Sequence, residues 1–172
     1  MCKKLFDKKN QDYGTSWRIM RLPSVTDQIY IKAKRIRTIQ IKATQKVADD
    51  IPSEFIGIIN YGFIALMQID LKANEELKLD ADYVRELYKA RVEKNRALME
   101  RKNHDYGEAW RDMRVPGMTD QILMKLERIK NIEDNDGKTL VSEGVESIYQ
   151  DIINYSIFCL IKLGIHQHED NK

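Results

Sequence analysis

One stretch of this sequence occurs twice. Lys9-Asn10-Gln11-Asp12-Tyr13-Gly14-Thr15-Ser16-Trp17-Arg18 returns as Lys102-Asn103-His104-Asp105-Tyr106-Gly107-Glu108-Ala109-Trp110-Arg111, displaced by 93 positions. The match runs on through Thr26-Asp27-Gln28-Ile29 and Thr119-Asp120-Gln121-Ile122, with 18 of 32 residues identical between 9–40 and 102–133. A later block, Ile58-Ile59-Asn60-Tyr61, returns as Ile152-Ile153-Asn154-Tyr155 at a displacement of 94, so one residue is inserted between the blocks. A solenoid needs at least three stacked units. Two copies instead predict a fused pseudo-dimer: copies 1–72 and 73–172 share one core about an approximate two-fold axis.

Length points the same way, because half of a 172-residue chain would be marginal by itself. Only 3 Pro and 8 Gly interrupt the chain. Its apolar residues recur mostly at helical spacing, which predicts an all-α helical bundle. Three helices per copy are expected. The first covers about 2–10 in copy 1 and is longer in copy 2, where Val84, Leu87, Tyr88, Arg91, Asn95, Leu98 and Met99 fall near one stripe. The second spans about 26–42 and 119–133, and the third about 53–71 and 142–163. Asp80 is placed to cap the long helix, and Asp134-Asn135-Asp136-Gly137 signals a turn.

The formal charge of +2 hides an asymmetry: residues 1–46 hold 12 Lys and Arg against 3 Asp and Glu. Such a front half attracts phosphates, nucleic acid or the acidic remainder of its own chain. Cys2 and Cys159 form no disulfide framework and suit a reducing compartment. No leader pattern opens the chain and no apolar stretch approaches the ~18 residues of a membrane span. The expectation is a cytoplasmic protein away from membranes, with room for homo-oligomerisation.

Two groups of side chains carry chemistry. Gln28, Lys32 and Arg35 lie at i, i+4 and i+7 on the second helix, and Gln121, Lys125 and Arg128 repeat them. An amide, an ammonium and a guanidinium in line can hold successive phosphate oxygens, although such a stripe also serves as a solvated face. The neighbours Lys34/Glu127 and Thr38/Asn131 differ between copies while the stripe does not. On the third helix, copy 2 carries Glu143, Ser147 and Asp151 at i, i+4 and i+8, with Glu146 beside them. Copy 1 has Asp49, Ser53 and Gly57 there, and Pro52 in place of Glu146. Oxygen ligands at that spacing suit Mg²⁺ or are simply surface acids, so copy 2 is the expected metal-binding half. Asp12 and Asp105, in the shared turn, are candidates to orient a ligand. So are Asn60 and Asn154, which must find polar partners inside an apolar helix. Trp17 and Trp110 suit either a core or a stacked base. His166-Gln167-His168 lies in a polar tail. No Gly-rich phosphate loop or nucleophilic triad is present.

The strings Lys-Asn-x-Asp-Tyr-Gly-x-x-Trp-Arg, Thr-Asp-Gln-Ile and Ile-Ile-Asn-Tyr resemble the nucleotide modification associated domain 1 family over nearly the whole chain. The helical pattern is in turn similar to the MazG-like all-α nucleoside triphosphate pyrophosphohydrolases. That likeness implies Mg²⁺ held by Glu143, Glu146 and Asp151 with Asp120 facing them, and phosphates held by Lys125 and Arg128. The chain lacks the clean paired acidic helices of that group. Two functions follow: a Mg²⁺-dependent nucleotide pyrophosphohydrolase, or a non-catalytic module that binds a nucleotide, another phosphate-bearing small molecule or nucleic acid. A shared carboxylate cluster in a cleft favours the first; dispersed acids favour the second.

Overall fold

A computed structural model describes residues 1–71, 76–138 and 144–165. Helices and turns account for its regular structure, and no strand occurs among the described residues. Helix α1 spans Cys2–Tyr13, α2 Leu22–Lys42 and α3 Ile51–Leu71; α4 spans Ala81–Tyr106, α5 Val115–Asp134 and α6 Val145–Lys162. A single 3₁₀ turn precedes α2 (Ser16–Ile19) and another precedes α5 (Ala109–Asp112).

The repeated Tyr-Gly has a local cause. Gly14 and Gly107 both sit at φ 57°, a positive φ that favours glycine, and stop α1 and α4 at the same point of each copy, Gly107 as a left-handed cap and Gly14 with ψ at −145°. The next helices start earlier than the Thr-Asp-Gln motif suggests, at Leu22 and Val115. Pro23 and Pro116 sit in their first turns, where a fixed φ and a missing N–H cost nothing. Asp80 caps α4 as expected, its carboxylate accepting from the Asp82 and Tyr83 amides.

Helices α2, α3, α5 and α6 form a four-helix ring, each packed on two others, with α1 and α4 laid against it. The two-fold relation appears as reciprocal contacts, the mark of an isologous interface. Thr26 on α2 donates to Glu133 on α5 at 2.8 Å, and Gln40 on α2 donates to Thr119 on α5 at 3.0 Å. Arg37–Asp120 at 3.7 Å is answered by Lys130–Asp27 at 3.8 Å. Val25, Ile29, Ala33 and Ile36 fill one side of the core, and Met118, Ile122, Leu126 and Ile129 the other. Where α3 crosses α6, a Cβ on Gly62 would lie 2.6 Å from Ile153, so the close approach requires glycine.

Helix α3 corrects one expectation. Among the described residues it is the one helix long and apolar enough to cross a membrane, and 56% of that window is buried inside the protein. A central helix covered on nearly every side is apolar all round, and no amphipathic stripe is left for sequence to show. Copy 2 alone has a long opening helix. Its added turns bring Tyr88 onto Phe6 (ring centroids 4.4 Å apart) and Arg91 onto Asp70 and Glu146.

Candidate functional site

Each copy builds a cavity from the same positions. In copy 1, α1 and the turn after it contribute Lys9, Asn10, Tyr13 and Trp17, and α3 contributes Gly57, Asn60, Tyr61 and Ile64. In copy 2 the corresponding walls are Lys102, Asn103, Tyr106 and Trp110 from α4 and its turn, with Asp151, Asn154, Tyr155 and Phe158 from α6. The repeated motif is therefore a cavity wall. Along α1, Lys9, Asn10 and Tyr13 fall at i, i+1 and i+4, on one face.

The cavities differ in what fills them. The first holds about 780 Å³ and the second about 350 Å³. Both fall within the usual ligand range of roughly 300–1,000 Å³. In the second, the Asp151 carboxylate bridges Lys102 at 2.5 Å and Lys125 at 2.7 Å. Burial pushes its carboxyl up, but hydrogen bonds from the two ammoniums outweigh that and hold it below its ordinary value. Phe158 lies flat on Trp110, 4.3 Å between centroids and 6° between planes. Copy 1 has Gly57 and Ile64 at these two positions. Trp17 stacks on no ring among the described residues, while the Nε1 atoms of Trp17 and Trp110 alike are buried without a hydrogen-bond partner there, as is the Asn10 Oδ1.

Lys32 reaches the first cavity together with Gln28. Its methylenes pass so close to Gly57 that a Cβ there would lie 2.8 Å from Cε. Glu54, buried on α3, accepts from Lys32 at 3.0 Å and also pairs with Arg35, which in turn donates to the Asp49 carbonyl at 2.6 Å. An ammonium has three donors, and among the described residues Glu54 is the one acceptor on Lys32. Lys9 has no ion-pair partner among them, whereas its counterpart Lys102 has Asp151.

The two Gln-Lys-Arg stripes do not share one groove: only the first lines a cavity, and the second reaches its cavity only through the Lys125–Asp151 pair. Gln28 and Lys32 line the first cavity, and Arg35 braces it through Glu54. Lys125 is spent on Asp151, Gln121 lies outside the second cavity's lining, and Arg128 is exposed. Asn60 and Asn154 meet both of their alternatives: each lines a cavity, and each ties helices. Asn60 donates to the Cys2 carbonyl at 3.2 Å and accepts from Tyr88 at 2.9 Å; Asn154 accepts from Asn95 at 2.8 Å. Asp12 and Asp105 do not join either site. They are exposed and outside both linings, whereas Asn10/Asn103 line the cavities and Tyr13/Tyr106 stand at their solvent-exposed rims.

The expected metal ligands are not brought together. Asp120 is exposed beside Arg37, Glu146 is held by Arg91 at 2.6 Å and Lys94 at 2.7 Å, and Asp151 by its two lysines. Hydrogen bonds from Lys94 and Arg91 keep the Glu146 carboxyl below its ordinary value despite partial burial. Glu143 and the His166-Gln167-His168 tail lie outside the described residues. Among those described, no three His, Cys, Asp or Glu side chains are placed to share an ion. Of the expected ligands that are described, Asp120, Glu146 and Asp151 are each held by a different cation and do not converge on one point. Cys159 is a core thiol, pushed up to about 12 by burial.

Sequence reasoning missed Lys9, Gly57 and Ile64. The signal was present in the alignment of the copies, where Gly57 and Ile64 oppose Asp151 and Phe158. A missing side chain read as a lost ligand, when it had opened a volume.

A family model described as Nucleotide modification associated domain 1 matches residues 9–69 and again 102–163. Those are the two copies, and most of both cavity walls lies within them. No curated protein and no solved structure matches the chain.

Proposed function

The chain belongs to the Nucleotide modification associated domain 1 family, and from that premise we propose that it binds one nucleotide, without hydrolysing it, in the cavity of copy 1. One observation carries this: the cavity lined by Gly57 and Ile64 in copy 1 holds about 780 Å³, against about 350 Å³ for the cavity of copy 2, where Asp151 and Phe158 stand at the same two positions. The open space suits a nucleotide at both ends. Lys9, Lys32 and Gln28 offer charge-assisted donors to a phosphate. Trp17 is buried but lines the same cavity as the Asn10 amide, and the two supply an indole and a polar group for a base.

The hydrolytic alternative needs Asp120, Glu143, Glu146 and Asp151 to converge on Mg²⁺, and the three that are described are each engaged by a different cation. Dispersed acids favour binding. A calorimetric panel of nucleoside mono-, di- and triphosphates, with and without Mg²⁺, tests the reading while pyrophosphate release is followed in parallel. The expected result is 1:1 binding, weakened in Lys32→Ala by about 1–3 kcal/mol, the range for a hydrogen bond to a charged group. Silence across the panel refutes it, and pyrophosphate release from any triphosphate returns the case to hydrolysis.

A further inference from the structure

We propose that the cavity of copy 2 is a closed counterpart of the first, in which the Asp151 carboxylate occupies a phosphate subsite and the Phe158 ring a base subsite. This deepens the binding reading just given, because it states where the ligand's groups lie in copy 1: the phosphate between Lys9 and Lys32, against Gly57, and the base on Trp17.

The internal duplication sets two counterpart cavities within one molecule. Lys102 and Lys125 are the counterparts of Lys9 and Lys32, and in copy 2 they converge on one anion, at 2.5 and 2.7 Å. That anion comes from the chain. Lys125 is nine-tenths buried, and a buried ammonium requires a counter-charge. In copy 1 glycine stands at that position, the counter-charge to Lys32 comes from Glu54 one turn earlier at 3.0 Å, and the Lys32 side chain lies along the Gly57 backbone. The aromatic end repeats the logic. Phe158 covers Trp110 in a parallel stack, the arrangement a nucleobase adopts on an indole, and Ile64 stands at that place in copy 1. A two-lysine clamp closed by a single carboxylate fits a phosphate monoester or inorganic phosphate.

Removing the internal anion should reopen the second site. The probe is inorganic phosphate, titrated into wild type and Asp151→Ala, with bound phosphate counted by equilibrium dialysis. The location is read from the two indole N–H resonances, one per cavity. Asp151→Ala is expected to bind one more phosphate than wild type, at least tenfold more tightly than wild type binds at that cavity, with the Trp110 resonance shifting. The converse variant, Gly57→Asp, is expected to bind one fewer. If Asp151→Ala does not fold, the rise in melting temperature on adding phosphate to Asp151→Ser replaces the count. A variant that binds no more phosphate than wild type and leaves Trp110 unmoved overturns the proposal, even if wild type binds a nucleotide in copy 1. A new site in the variant, with no nucleotide bound by wild type, supports this proposal and overturns only the function assigned to copy 1.

Discussion

The lysine at position 32 and the lysine at position 125 began as the same residue, and the structure gives them different neighbours. Lys125 is buried under α6 and neutralised by Asp151; Lys32 lies along Gly57 and meets Glu54, which also serves Arg35. In the second copy the acid comes from the cavity wall and closes it. In the first it comes from Glu54, one turn earlier on the helix and also part of the lining, and the cavity stays larger. Copy 1 carries Glu54 where copy 2 carries Ile148, so the acid has moved along the helix along with its charge. The difference teaches that one duplicated clamp can be kept in two states: one holding its own carboxylate, and one able to hold a ligand.

The largest expected effect breaks the closed state. Asp151→Ala leaves the Lys125 ammonium buried and uncompensated, which should cost about 3 kcal/mol in urea unfolding, the low end for breaking a buried pair because Asp151 keeps some contact with water. Adding Lys125→Met should recover most of that loss, since no charge is then stranded. A double-mutant cycle showing no coupling between the two would mean that the pair does not hold the second cavity shut. Acid provides a parallel check. Because the Asp151 carboxyl is depressed, its contribution is complete above its unfolded value and fades as pH falls through the folded one, below the usual carboxylate range.

A smaller effect sharpens the comparison at the α2–α5 interface. Glu133 accepts from Thr26, and Gln40 occupies the equivalent position in the first copy. Burial pushes the Glu133 carboxyl up, against the hydrogen bonds from Thr26 and Tyr149. A raised carboxyl stabilises below its unfolded value and loses that contribution as pH rises through its folded one. Glu133→Gln, which copies the other half, should therefore raise stability at pH 7 by about 0.5–1 kcal/mol and flatten the loss between pH 4.5 and neutrality. Thermal melts across that range give the answer; a destabilised variant at pH 7 would show that the charge itself is required.

The fold was legible because its determinants are local and repeated. Helical periodicity, the Tyr-Gly stop and the Asp80 cap each act within a few residues, and the duplication supplied the pairing of halves. The site was half legible. Gln28 and Lys32 line the first cavity, while Asp12 and Asp105 lie outside both linings and Asp120, Glu146 and Asp151 are divided among separate ion pairs. A spacing of four shows that Asp151 shares a face with Ser147. It does not show that Lys102, 49 residues earlier, stands across from that face. Counter-ion and ligand are indistinguishable until the opposing helix is in place. Gly57 was illegible for a related reason, since the absence of a side chain has meaning only beside the lysine that fills the space.

The chain has two tryptophans, one in each cavity. Single-tryptophan variants therefore separate the halves: Trp110→Phe reports from Trp17 alone, and Trp17→Phe from Trp110 alone. Fluorescence during titration with the tightest nucleotide of the panel tests the central claim. Quenching of Trp17 through a stacked base, with Trp110 unchanged beneath Phe158, is the predicted result. Quenching of Trp110 alone, of both equally, or of neither would contradict it.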